Sequence, residues 1–299
     1  MCSLWLCVNF FMNWNPEVEK DAEKSAESAL ILVDIEGSSG VYEKEQCKTH
    51  SEKWKKARHL LTADVNAAIR GLKAAGIVKI IVKDMHASGF NLVRENIENN
   101  VRCLQGHFWK PVPLIGKMPQ VDVAIMIGWH AGPDQADGFS PHIFHRVVRC
   151  LEINGRPITE VELFASVLGE FNIPAAVLTA DYVTINRVIK TMPWLLFHEI
   201  PKQQISDEKI AIIHDKIEAK VAKSIKRGSD SYKPLIFGPH QVKMKIPGKT
   251  LIWESRSGLD TYRKILAEFV FKPCPELFLP LGLAFYRVWS KMKIMNCKD

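Results

Sequence analysis

The chain has 299 residues, 47% of them hydrophobic and 24% charged, a balance that argues against intrinsic disorder and allows a substantial core. Its 40 Lys and Arg against 33 Asp and Glu leave a formal charge of +7, spread along the chain without interleaved aromatic residues, so no nucleic-acid-binding surface is expected. Seven dispersed cysteines (Cys2, Cys7, Cys47, Cys103, Cys150, Cys274 and Cys297) form no CxxC pair and read as reduced thiols of a cytoplasmic protein.

In chain order, Met1 to Met12 is apolar and aromatic but lacks a basic leader and is too short to cross a bilayer, so stable membrane insertion is not expected. Residues 1–27 are taken as an extension and charged linker, 28–201 as the main domain and 202–299 as a smaller C-terminal α/β domain. Short runs rich in β-branched residues predict strands over Leu30 to Val33, Val78 to Val82, Val121 to Ile127 and Ala175 to Leu178. Helical spacing links the first two through Glu52 to Ala75, with Gly76 as a stop. A second helical stretch starts at Pro157 and ends near Gly169. This alternation predicts an α/β fold with a largely parallel central sheet and helices on both faces. Beyond Pro201 come a helix over Asp207 to Lys226, a strand over Gln241 to Ile246 and a helix over Leu259 to Val270. The apolar segment Leu277 to Trp289 reads as core or subunit contact.

In an open parallel sheet, the loops at the carboxyl ends of the strands line the active crevice. The first strand runs into Asp34-Ile35-Glu36-Gly37, where strand periodicity sets both carboxylates on one face. The second runs into Asp84-Met85-His86, and the third into Gly128-Trp129-His130. Each residue alone would serve as a helix cap or a hydrogen-bonded loop residue. Together they place carboxylate oxygens and imidazole nitrogens at one edge, a donor set suited to zinc. A cation would cancel the repulsion between Asp34 and Glu36, and Asp84 is a candidate partner for a ligating imidazole. Spacing leaves the roles of His142 and His145 open, while Glu160 and Glu162 sit where a helix dipole favours negative charge with or without a metal.

The ordered series V-D-I-E-G-S-S-G (Val33 to Gly40), K-D-M-H-A-S (Lys83 to Ser88), G-W-H-A-G (Gly128 to Gly132), S-P-H (Ser140 to His142) and I-N-G-R-P-I-T-E (Ile153 to Glu160) resembles the DppA-type D-aminopeptidases, a family of zinc metallopeptidases. The resemblance spans roughly Leu30 to Asp181. It implies two zinc ions per subunit, with Asp34 bridging them, Glu36 and His86 on one side and His130 and Glu160 on the other. It selects Glu160 over Glu162, marks His142 as the catalytic histidine, leaves His145 without a role and puts Asp181 at most in support of the site. It further implies short peptide substrates and homo-oligomeric rings. The N-terminal extension, Pro141 beside the histidine and the large Trp129 depart from the pattern, which bears on the substrate pocket more than on the ligands. The function expected is therefore zinc-dependent aminopeptidase action on short peptides or amino-acid amides with a free amino terminus. A two-metal phosphoesterase or other amidohydrolase, or a non-catalytic metal-stabilised scaffold, is the alternative, although no phosphate-cradling Gly-rich loop or Arg cluster is evident in the sequence.

Overall fold

The computed structural model describes residues 26–106 and 118–270, with the isolated positions 285, 288, 289, 291 and 292. The apolar N-terminal stretch and nearly all of Leu277 to Trp289 therefore lie outside the described residues.

Strand β1 (Ser28–Val33) is followed by helix α1 (Glu52–Ala74), β2 (Lys79–Asp84), β3 (Val101–Leu104) and β4 (Val123–Trp129). Next come β5 (Cys150–Ile153), β6 (Arg156–Pro157), α2 (Glu160–Gly169), β7 (Ala175–Ala180), α3 (Tyr182–Val188) and β8 (Leu196–Glu199). The last part supplies α4 (Asp207–Lys226), β9 (His240–Ile246), β10 (Lys249–Ser255) and α5 (Gly258–Val270).

Six strands form one sheet in the order β3-β2-β1-β4-β7-β8, every neighbouring pair parallel. The inner strands β1, β4 and β7 are buried throughout, which explains why they read as continuous apolar runs. Their side chains still alternate between faces. Ala29, Ile31 and Val33 join Leu61 and Val65 of α1 and Ile217 and Val221 of α4. Leu30 and Leu32 join Phe164 of α2 and Tyr262 and Ile265 of α5 on the other side. Each large aliphatic side chain so enclosed contributes about 1.5–3 kcal/mol. Helix α1 is capped by Ser51, whose side chain accepts from the Trp54 N–H, and stops where Gly76 adopts φ +90°.

The predicted helix start moves. Pro157 closes β6, and α2 begins at Glu160 because Thr159 caps it through a reciprocal bond with Glu162. The expected boundary near Pro201 is bridged by packing on both sides of the sheet. A second, antiparallel sheet runs β10-β9-β5-β6, pairing Leu151 with Met244, while α4 packs on α1 and α5 on α2.

The order of the main sheet matters most for function. From β1 the chain adds β2 and β3 to one side, whereas β4, β7 and β8 lie on the other. The reversal opens a crevice beyond the carboxyl ends of β1 and β4, the position where ligands bind in such sheets.

Candidate metal centre

At that crevice the chain leaves β1 in a turn, so Asp34 and Glu36 converge through loop geometry and not by continuing the strand. The Asp34 N–H donates to the Ile127 carbonyl at 2.9 Å and the Gly37 N–H to the Gly128 carbonyl at 2.7 Å, fixing this turn against the end of β4. The approach is as close as backbone allows. A Cβ on Gly37 would lie 2.1 Å from the Trp129 carbonyl oxygen, and one on Gly128, itself at φ +78°, would lie 2.1 Å from the Asp34 carbonyl oxygen. Glycine is needed at both places.

Two trios of metal-ligating side chains result, Asp34–Glu36–His86 and His130–His142–Glu160, each with one donor atom per residue gathered within 4.8 Å. Asp34 links them. Its Oδ1 lies 3.0 Å from His86 Nδ1 and its Oδ2 lies 3.5 Å from His130 Nε2. Glu36 Oε2 is 2.8 Å from His86 Nδ1, Glu160 Oε2 is 3.8 Å from His130 Nε2, and Glu36 Oε1 is 3.9 Å from His142 Nε2. All five residues expected as ligands, together with His142, therefore meet in one pocket, and Asp34, Glu36, His130 and Glu160 are buried there. His145 is exposed, and its ring accepts from the Val147 N–H.

The unused ring nitrogens define which atom each histidine presents. His86 Nε2 donates to the Cys47 carbonyl at 3.0 Å, and His130 Nδ1 donates to the Ala131 carbonyl at 2.9 Å. His142 Nδ1 donates to the Ser140 carbonyl at 2.8 Å, and its ring stacks on His130 with centroids 4.1 Å apart and planes within 3°. Each ring thus aims the other nitrogen at the carboxylates.

Asp84, expected beside a ligating imidazole, instead serves the backbone. Its carboxylate accepts from the N–H groups of His86 and Asn91, and the Asn91 side-chain amide also donates to the His86 carbonyl at 2.7 Å. Asn91 escaped the sequence reading because it carries no metal-ligand chemistry. Its importance comes from its complete burial. Asp181 caps α3 by accepting from the Thr184 N–H and holds the Phe139 N–H at 2.8 Å, so it anchors the loop that leads to His142. Glu162 is consumed by Thr159, Arg156 and Thr191, whereas Glu160 accepts from the Phe144 N–H with one oxygen and keeps the other toward His130.

Electrostatics state what the pocket requires. Burial works against charge on Asp34, yet bonds with His130 and His86 outweigh it and hold the carboxyl well below its usual range. Burial likewise opposes charge on His86 and His130, but Glu36 and Asp34 in the first case and Asp34 and Glu160 in the second raise both imidazoles well above the usual value. His142 goes the other way, lowered by burial and by repulsion from His130. Three buried carboxylates thus draw positive charge to their centre. Glu36 Oε2 is buried and has no aligned hydrogen-bond donor, although His86 Nδ1 lies close. Mixed nitrogen and oxygen donors, an orphaned carboxylate oxygen and a carboxylate facing two ways fit divalent metal of the zinc type.

A family model of the M55 peptidases, described as D-aminopeptidase, matches residues 28–251. A D-aminopeptidase of Bacillus subtilis (strain 168) is 27% identical over 152 residues, covering 50% of this chain and 55% of that protein, so the match spans about half the length of the relative. Among solved structures, the Zn-dependent D-aminopeptidase DppA from Bacillus subtilis, described as a self-compartmentalizing protease, superposes with a TM-score of 0.69 at 19% identity over 80% of this chain and 95% of that one, a likeness of fold. With the family match running from β1 into β10 and enclosing every residue of the centre, the chain belongs to the D-aminopeptidase family.

Proposed function

We propose that the protein is a zinc-dependent aminopeptidase that hydrolyses short peptides or amino-acid amides with a free amino terminus, with D-residues preferred at that end. The observation carrying this reading is the pair of ligand trios joined by Asp34, whose two oxygens face His86 and His130 separately. Asp34 would bridge two ions, Glu36 and His86 would complete one side and His130 and Glu160 the other. Ions held there supply Lewis acidity, polarising a carbonyl and lowering the pKa of water.

The remaining chemistry falls to the chain. His142 fixes its Nδ1–H on Ser140 and keeps Nε2 toward the pocket, and its lowered pKa favours the neutral ring. Nε2 can therefore accept a proton from the attacking water and return it to the leaving amine, a role worth about 10²–10⁴-fold in rate. The stacked His130 ring limits how His142 can turn. One observation favours a second role: His142 Nε2 sits among the donors of its trio and could itself ligate.

Homo-oligomeric assembly into a closed ring, a reading supported by a structural neighbour described as a self-compartmentalizing protease, and a cytoplasmic location belong to the same proposal. Cys47, Cys103 and Cys150 are unpaired, and no helix among the described residues is long and apolar enough to cross a membrane.

Purified protein should contain zinc and should hydrolyse D-aminoacyl amides and short peptides faster than L-aminoacyl amides or phosphoesters, with activity lost on chelation and restored by zinc. Chelator-insensitive turnover, or phosphoester hydrolysis as the dominant activity, would overturn the reading. His130→Ala should lose metal and activity together. His142→Ala should lose activity with metal retained if the ring handles protons, and should lose metal as well if it ligates.

A further inference from the structure

Residues 37–41 form an irregular loop directly after Glu36, and all five are buried. Buried backbone must find hydrogen-bond partners, and here other elements supply them. Asp64 of α1 accepts from the Ser39 N–H at 2.8 Å, and Gln46 donates to the Gly40 carbonyl at 3.0 Å. The carbonyls of Ser38 and Val41 both accept from Lys202 Nζ, at 2.9 and 3.1 Å. Lys202 follows β8, more than 160 residues later in the chain.

A neutral donor would satisfy those carbonyls, so a charged one needs another reason. Burial pushes the Lys202 ammonium down to about 8, despite the opposing pull of Asp181 and Asp64. The ammonium stands 5.5 Å from the centroid of the Phe139 ring, where it meets the negative ring face. Phe139 is in turn held by Asp181 through its N–H and lies three residues before His142. One cation therefore touches both the loop that follows Glu36 and the loop that precedes His142.

We propose that Lys202 is a positioning residue for the candidate reaction: its ammonium ties the Glu36 loop to the Phe139 loop and so sets His142 against the carboxylates of the centre. The proposal rests on the aminopeptidase reading for its kinetic consequence but not for its structural one. Lys202→Met keeps the aliphatic stem and removes the donors, Lys202→Arg keeps the charge, and Phe139→Leu removes the ring face.

Zinc-loaded Lys202→Met should fold and retain bound zinc, with kcat per zinc-loaded molecule lowered between about tenfold and a hundredfold and KM changed far less, as expected for a displaced catalytic group. Lys202→Arg should recover most of the loss. Adding Phe139→Leu to Lys202→Met should cost less than Phe139→Leu costs alone. Independently of turnover, amide exchange should quicken in both segments 35–43 and 138–145 in Lys202→Met, with zinc and without it, and stay near wild type in Lys202→Arg. Wild-type exchange in either segment, or unchanged kcat per zinc-loaded molecule, overturns the proposal. Absence of any hydrolysis by wild-type protein overturns the aminopeptidase reading instead, and leaves the exchange experiment to decide the role of Lys202.

Discussion

Replacing Gly37 with Ala tests whether the close approach of two loops builds the centre. The added Cβ would stand 2.1 Å from the Trp129 carbonyl oxygen, 2.3 Å from the Gly128 carbonyl carbon and 2.4 Å from the Trp129 nitrogen, all backbone atoms. Contacts of that kind need more than 3 Å, and backbone on a buried strand end cannot swing aside like a side-chain tip, so the turn must retreat by about 1 Å. The retreat would stretch the 2.7 Å bond from the Gly37 N–H to the Gly128 carbonyl and draw Asp34 and Glu36 away from His130. Overpacking of this size costs about 1–3 kcal/mol. A displacement of about 1 Å at reacting groups costs up to about a hundredfold in rate. Thermal melting, zinc content and kcat/KM on the best aminoacyl amide should therefore all fall in Gly37→Ala. Gly238→Ala, where a Cβ meets nothing within 4 Å, should match wild type and serves as the control. Undiminished stability and kcat/KM in Gly37→Ala would refute the idea that this backbone contact sets the geometry.

Two glutamates on one helix turn should separate cleanly: Glu160→Gln should lower zinc affinity with little loss of stability, whereas Glu162→Gln should keep zinc and lose about 1–2 kcal/mol from the cap and its Arg156 and Thr191 bonds, read by zinc titration and denaturant melts. Asn91→Ala should lose about 2–4 kcal/mol, since it strands the Trp54 indole N–H, the His86 carbonyl and part of Asp84 in a buried setting, and a variant within 0.5 kcal/mol of wild type by the same melts (a loss of about that size marking an ordinary surface change) would contradict this. His198 provides a pH signature away from the centre. Burial, with Lys220 and Lys216 nearby, lowers its pKa from 6.5 to about 4. Because the unfolded chain then binds the proton first, this residue's contribution to stability is lost as pH falls from about 6.5 toward 4, by about 1 kcal/mol at pH 5 once partial exposure is allowed for. The drop in melting temperature between pH 7 and pH 5 should accordingly be smaller in His198→Gln than in wild type, and equal drops would rule the effect out.

The chain's local patterns settled more of the centre than of the fold around it. Continuous apolar runs ending in Asp, His or Gly marked β1, β2 and β4 and put Asp34, Glu36, His86 and His130 at their carboxyl ends, because burial on both faces and a polar exit are written in neighbouring residues. The same patterns left β3, β5, β6, β8 and β10 unseen, since the first four are short and the alternation in β10 is interrupted by charged and half-exposed positions. Spacing could not tell Glu160 from Glu162. In the structure a capping box and Arg156 engage Glu162, contacts that exist only once α2 has formed.

What the sequence by itself determined is the supply of donors and the strand ends that carry them, because residue type and periodicity are local properties. The pairing of β1 with β4, the glycine contact between their loops, the stacking of His142 on His130 and the reach of Lys202 to Ser38 and Val41 were decided by tertiary structure alone. Each depends on which segments become neighbours, and that is set by the free energy of the whole core and by no stretch of sequence within it.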